Sequence, residues 1–232
     1  MHKRIGIIGG LSPESTVSYY LHITRTYAAR FGDVAYPEIV IYSVSLEQYD
    51  RWRSANRWDA IAGDLIAAAR ALESAGADFG LIATNTMHKV FDVVRDAVTL
   101  PLIHLIDVTA ARARTMGLRT LGLLGTRYTM ADGFYAHRMQ RHGLQLIVPP
   151  SEAQTVVHRI IVEELVRGRL LDASREAYRH IIAQLVDRGA EGVILGCTEI
   201  PLLVAAADAA VPLLDTAEIH AEAALEYALG NS

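Results

Sequence analysis

Two short stretches carry residue types that could move a proton at carbon: Thr84-Asn85-Thr86 and Gly196-Cys197-Thr198-Glu199. Cys197 is the single cysteine of the chain. Each stretch follows an apolar run that reads as a strand, and each opens a helical pattern. A helix start offers unpaired N–H groups and the positive end of its dipole, which makes a cradle for a carboxylate. A thiol held there is expected to have a depressed pKa and to serve as a general base near neutrality. A free cysteine is more often a small buried hydrophobe, and that reading stands beside the chemical one.

Other chemistries find little support. No His or carboxylate cluster accompanies Cys197 at ligand spacing, so no metal is expected. No Gly-x-Ser-x-Gly elbow marks a serine hydrolase. Gly6-Ile7-Ile8-Gly9-Gly10 lacks the spacing of a dinucleotide fingerprint, and no phosphate loop ends in Gly-Lys-Ser/Thr. Gly9-Gly10-Leu11-Ser12 reads equally well as a tight turn that needs glycine.

The elements that must position these residues are legible as an alternation. Apolar runs rich in Ile, Val and Leu predict strands at Arg4–Ile8, Glu38–Ser43, Phe79–Ala83, Leu102–Leu105, Thr120–Leu124, Leu144–Val148, Gly192–Leu195 and Val211–Leu214. Ser12-Pro13 has the form of an N-cap and first helical residue, opening a helix over Glu14–Arg30. Gly32, Gly76, Gly117, Gly143 and Gly189 stand where helix C-caps belong. Strand-helix alternation predicts an α/β fold with parallel sheets.

The pattern also repeats. Arg4-Ile-Gly-Ile-Ile-Gly-Gly10 is echoed by Thr120-Leu-Gly-Leu-Leu-Gly-Thr126, and Leu100-Pro101-Leu102-Ile103 by Val211-Pro212-Leu213-Leu214. Thr84 follows Gly76, and Cys197 follows Gly189, at the same distance of eight positions. The repeat predicts two similar halves, 1–100 and 101–211, with 212–232 left as a segment that can complete the first. Ligands in open α/β sheets bind beyond the carboxyl ends of strands. Two halves related by a pseudo-twofold axis place residues 84 and 197 on opposite sides of one ligand's α-carbon.

Composition sets the outer bounds. The 232 residues are 51% hydrophobic with a formal net charge of -4, and the basic residues are scattered rather than clustered. Nucleic acid is not an expected partner. No apolar stretch approaches the roughly 20 residues of a membrane helix, so no membrane association is expected. Met1–Gly10 reads as a strand running into Gly-Gly rather than a secretory leader. With one cysteine and no internal disulfide, the expected compartment is the cytoplasm.

Gly9-Gly10-Leu11-Ser12-Pro13-Glu14-Ser15-Thr16, Thr84-Asn85-Thr86-Met87-His88 and Gly196-Cys197-Thr198-Glu199, taken in order, resemble the aspartate/glutamate racemase family. The resemblance runs nearly end to end. It implies two flavodoxin-like domains with the active site between them, a homodimer, and catalysis without pyridoxal phosphate or another cofactor. In that family one cysteine removes the α-proton and a second, opposite, returns a proton. The usual first motif is Cys-Asn-Thr, and here it is Thr84-Asn85-Thr86. With Gly125–Met130, this stretch is most similar to the L-aspartate/glutamate-specific branch, whose Thr/Cys pair implies an asymmetric enzyme acting mainly on the L-substrate.

The resemblance implies Thr84 and Cys197 as the catalytic pair, although a threonine hydroxyl is a poor base unaided. Leu11, Ser12, Asn85, Thr86 and Thr198 are implied substrate contacts. Glu199 either takes the substrate ammonium or caps the helix start. Arg53, then Arg51, are candidates for the side-chain carboxylate, against the plain alternative of solvated surface arginines. Arg167 lies near a family lysine position. Lys89 is the single lysine placed to form a Schiff base, and nothing else supports that role. His88, His104 and His220, like Trp52, Trp58, Tyr19 and Tyr20, read as packing or capping residues. Aspartate and glutamate are not distinguished. Two other functions remain open: a single-cysteine decarboxylase of malonate-type acids, and a non-catalytic binder of acidic amino acids.

Overall fold

The computed structural model describes residues 2–230. Eight strands form two parallel sheets of four: β1 (Ile5–Gly9), β2 (Ile39–Ser43), β3 (Phe79–Ile82) and β4 (Leu102–Ile103) in the first, β5 (Thr120–Gly125), β6 (Gln145–Ile147), β7 (Gly192–Gly196) and β8 (Leu213–Asp215) in the second. The strand orders are β2-β1-β3-β4 and β6-β5-β7-β8, the same doubly wound topology twice. All eight expected strands form, with ends shifted by one or two residues and the edge strands β4, β6 and β8 shorter. An edge strand is paired on one side only, so its ladder ends sooner.

The chain divides into two compact units, Met1–Leu105 with Ala217–Ser232, and Ile106–Thr216. In the first unit, side chains alternate across the sheet as strand geometry requires. Ile8 and Ile82 face a core with Ile61, Leu65 and Leu72 of the helix Trp58–Ser74. Ile5, Ile7, Phe79 and Leu81 face the other way, onto Tyr19 and Ile23 of the helix Pro13–Phe31 and onto Ala217, Ala221, Ala224 and Leu225 of the helix Thr216–Leu229. The small residues of that last helix let its backbone come close to the strands. Truncating one fully buried residue here, such as Leu65→Ala, costs about 2–5 kcal/mol. Trp52 and Trp58 pack against the first core, while Tyr20 is exposed, so the packing expected of Tyr20 is not made.

In the second unit, Leu124, Val193 and Leu195 pack against Val157, Ile160 and Ile161 of the helix Ser151–Glu163 and Tyr178, Ile181 and Leu185 of the helix Asp172–Asp187. The helix that follows each sheet's last strand is assigned almost wholly to the other unit. The segment after β4 joins the second unit at Ile106, and the segment after β8 rejoins the first at Ala217.

The long first helix shows how local chemistry sets an element. Ser12 is its N-cap and accepts a hydrogen bond from the Ser15 N–H at 3.3 Å, Pro13 begins the helix, and Gly32 at φ 74° closes it. Gly10 has φ 82°, and a Cβ there would lie 2.3 Å from the Val44 carbonyl oxygen, so this turn admits only glycine.

Candidate active site

In each sheet the strand order reverses between the first strand and its inner neighbour, at β1/β3 and at β5/β7. Such switch points open a crevice at the strands' carboxyl ends, where α/β sheets hold ligands. Thr84 follows β3 and Cys197 follows β7, so each belongs to the switch point of its own unit. β1 and β3 run in register from Ile5↔Phe79 to Ile8↔Ile82, and β5 and β7 end on the pair Gly125↔Gly196. A Cβ on Gly196 would lie 2.9 Å from the Leu124 carbonyl oxygen, so the residue before Cys197 must be small.

In the first unit the loops after β1 and β3 are tied together. Thr16 Oγ1 accepts from the Gly10 N–H at 2.8 Å and donates to the Ser12 carbonyl at 3.0 Å. Ser15 Oγ donates to the Ala83 carbonyl at 3.1 Å, immediately before Thr84. Leu11 and Ser12 are buried in this turn, and the Ser12 side chain serves as the helix cap. Thr84 is half-buried, while Asn85 and Thr86 are buried where the 3-10 turn Thr86–Val90 begins.

His88 braces that loop. Its Nδ1–H donates to the Thr84 carbonyl at 2.7 Å, and its Nε2 accepts from the Leu105 N–H at 3.1 Å. One nitrogen donates and the other accepts, which defines a neutral imidazole. The ring stacks on Phe91 with centroids 5.3 Å apart and meets His104 at 4.7 Å and His220 at 5.8 Å. His220 is bonded to the Tyr19 hydroxyl at 2.9 Å and to the Ile103 carbonyl at 3.1 Å. Burial, then the neighbouring His88, holds its pKa down at about 3. The three histidines are thus buried packing and bracing groups. Sequence reading missed the brace, whose signal is a histidine four residues after Thr84, one helical turn on.

The two candidate arginines lie on the helix Leu46–Ser54. Arg51 is 68% exposed and pairs with Glu47 one turn back, a surface contact of little energetic weight. Arg53 is 20% exposed and pairs with Asp50 at 2.6 Å. Lys89 lies over the Trp58 ring, 4.2 Å from its centroid.

In the second unit the Cys197 thiol donates to Glu199 Oε2 at 2.9 Å, and Thr198 Oγ1 donates to the same oxygen at 3.1 Å. Glu199 is 4% exposed and Cys197 half-buried. The expected depressed thiol is overturned. Burial, then the adjacent Glu199 charge, pushes the thiol well above its ordinary range and outweighs the N–H groups of Glu199 and Thr198. The helix that follows, Ile200–Leu203, is a single turn, too short to supply the dipole expected to lower the pKa. The capping role considered for Glu199 is not made, since its side chain bonds no helix N–H.

Tyr178, which the thiol's charge influences, is fully buried, and its hydroxyl donates to the Val157 carbonyl at 3.3 Å. Burial, then the charges of Cys197 and Glu164, raises its pKa well above the phenol range. Glu164 in turn accepts from Ser174 and from Arg159. Arg167 stands exposed on the 3-10 turn Leu165–Arg167. Sequence reading did not single out Tyr178 or Glu164, which carry no motif.

Among the described residues, no cluster of three or more His, Cys, Asp or Glu could hold a metal ion, and no helix is long and apolar enough to cross a membrane. A protein from Yersinia pestis assigned to the Asp/Glu racemases is 45% identical, with a TM-score of 0.92 covering 98% of this chain and 99% of that one. An aspartate racemase homologue from Pyrococcus horikoshii is 40% identical, with a TM-score of 0.88 covering 99% and 100%. The broad specificity amino-acid racemase RacX of Bacillus subtilis is 22% identical over 218 residues, 91% of this chain and 92% of its own length. The profile of the Asp/Glu/Hydantoin racemases matches residues 8–224. Matching topology in both units and motifs at both switch points agree with that span: the chain belongs to the Asp/Glu/Hydantoin racemase family and is an isomerase of that family.

Proposed function

We propose that this racemase exchanges the α-proton of aspartate or glutamate without a cofactor, with a bias to the L-substrate. Cys197 works on one face of the α-carbon. Thr84, with its hydroxyl or a water it holds, serves the other face. The observation that carries the reading is the placement of a thiol with a buried carboxylate partner beyond β7, at a switch point. The α-proton of an amino acid is weakly acidic, so the carbanion must be met by oriented donors in a closed, dry setting. Backbone N–H groups at the two loops, with Asn85, Thr86 and Thr198, supply those donors. Leu11 and Ser12 contact the substrate from the turn after β1.

Arg53 takes the substrate's side-chain carboxylate. It is the better placed of the helix arginines because its side chain is mostly withdrawn from solvent, so a charge met there is less screened. Arg51 and Arg167 are outer contacts that steer the acid inward. The bias to the L-substrate follows from chemistry: a thiol exchanges protons readily and a threonine hydroxyl poorly. A homodimer in the cytoplasm belongs to the same reading and rests on the family resemblance and the single cysteine.

The test is conversion of each enantiomer of aspartate and glutamate, followed by chiral chromatography, alongside neutral amino acids. Conversion of an acidic amino acid faster than any neutral one supports the proposal. Conversion of neutral amino acids alone contradicts it.

A further inference from the structure

The basic residues are scattered along the sequence, but the fold gathers several of them at one place in the second unit. Two turns of the same design build that place. The helix Leu105–Thr115 runs out at Gly117, φ 76°, and the helix Phe134–Arg141 at Gly143, φ 74°. The N–H groups of each glycine and of the residue after it turn back onto the helix end: Gly117 to Arg114 and Leu118 to Ala113, Gly143 to Gln140 and Leu144 to Met139. The chain then enters β5 and β6, which pair in register from Thr120↔Gln145. The Gln145 N–H donates to the Arg119 carbonyl at 2.9 Å, so the two turns stand side by side. A Cβ on either glycine would meet nothing within 4 Å, so the space over both is open. Between the turns lies a cleft of about 660 Å³, lined by Arg114, Arg119, Arg141 and His142 beside the two glycines. We infer that this cleft is a second binding site, for a small phosphate-bearing anion.

Helix ends account for part of the charge. Arg114 and Arg141 lie in last turns, where a cation meets the negative end of the dipole. Arg119 serves no helix end, since it stands on the loop into β5. Three guanidiniums around one cleft repel one another, and no carboxylate is among its lining residues. Two acids close by are already engaged. Asp107 accepts two bonds from Arg138 and one from His142. Glu191 accepts the N–H groups of Thr120 and Arg119, which hold its carboxyl below the usual range. Among the described residues, the Arg114 side chain makes no hydrogen bond or ion pair. One guanidinium fork satisfies a carboxylate, whereas a phosphoryl group brings more oxygens and a second charge, and so engages several guanidiniums at once. The volume suits a small ligand.

The cleft lies apart from the racemase site. β5 and β7 are parallel, so Arg119 stands at the amino end of this sheet and Cys197 beyond its carboxyl end. The six residues of β5 separate the two ends by roughly 15–20 Å. The inference therefore holds whichever role Cys197 plays.

The test is calorimetric titration of the full-length protein with pyrophosphate at low ionic strength, where exposed charges are least screened. One saturable site per chain is expected, and added L-aspartate should not displace the ligand. Arg114→Gln and Arg119→Gln should each weaken binding at least about tenfold, and the double variant should abolish it. Arg25→Gln makes the same charge change on an exposed residue of the first unit and should leave binding as it was. Arg114 and Arg119 are both exposed, so the variants should keep the wild-type melting temperature. Absence of saturable binding overturns the inference. So does a double variant that binds like wild type, or an Arg25→Gln protein weakened as much as the cleft variants. Displacement by L-aspartate would place the ligand in the racemase site and also overturns it. Citrate binding as tightly as pyrophosphate would overturn the phosphate class.

Discussion

The Cys197 thiol donates to the Glu199 carboxylate across 2.9 Å, so the one cysteine of the chain rests protonated. Burial and the Glu199 charge both disfavour thiolate. Alkylation by iodoacetamide, followed by intact mass, is expected at neutral pH to be at least about tenfold slower than for an ordinary free thiol. Because no other cysteine competes, the reading is direct. A rate that levels off below pH 8 would show a resting thiolate and contradict the geometry.

His220 links stability to pH. Its folded pKa is held at about 3, far below the ordinary imidazole value of about 6.5. A histidine kept neutral by the fold contributes stability that is present above its unfolded pKa. That stability is lost as pH falls from about 6.5 toward the folded value of about 3. Between pH 7 and pH 5 this one group should remove roughly 2 kcal/mol. Urea unfolding of wild type and His220→Phe at both pH values checks it. The variant should be less stable at pH 7, having lost the Tyr19 and Ile103 bonds, but should show a flatter pH dependence. Parallel slopes in the two proteins would sink the assignment.

His88 holds the Thr84 loop through one bond given and one received. His88→Ala should cost about 2–4 kcal/mol, because it opens a cavity beside Phe91 and leaves a buried carbonyl and N–H unmet. The L/D rate ratio should change along with stability, since Thr84 loses its brace. A variant within about 0.5 kcal/mol of wild type by urea unfolding would remove the bracing role.

Gly10→Ala is expected to be severe for its size. The backbone is left-handed there and the added carbon meets the Val44 carbonyl, so the loss should exceed about 2 kcal/mol. A thermal melt unchanged by the substitution would contradict the turn geometry.

Thr84→Cys should confer or raise turnover of the D-isomer, because a second thiol can take a proton where a hydroxyl cannot. Initial rates from each enantiomer measure this. An unchanged L/D ratio in the variant counts against a paired role for positions 84 and 197.

The parallel sheets were readable because buried strands are apolar on both faces and each is punctuated by a helix cap. Ser12-Pro13 and Gly32 mark the first helix within a residue at each end. The loops at Thr84 and Cys197 were readable because the internal repeat aligns them. Electrostatics at Cys197 was not, since the thiol's pKa depends on which way the Glu199 side chain turns, and the residue types alone say nothing of that. His88 was legible as buried and illegible as a brace, because its second partner, Leu105, is distant in sequence. Tyr178 feels the thiol's charge from another helix altogether.

The most direct test of the whole account is proton NMR of L-aspartate and L-glutamate in heavy water with wild type and Cys197→Ala. Wild type should lose the α-proton signal, and the variant should show no loss above background. Exchange at the wild-type rate in Cys197→Ala would contradict it.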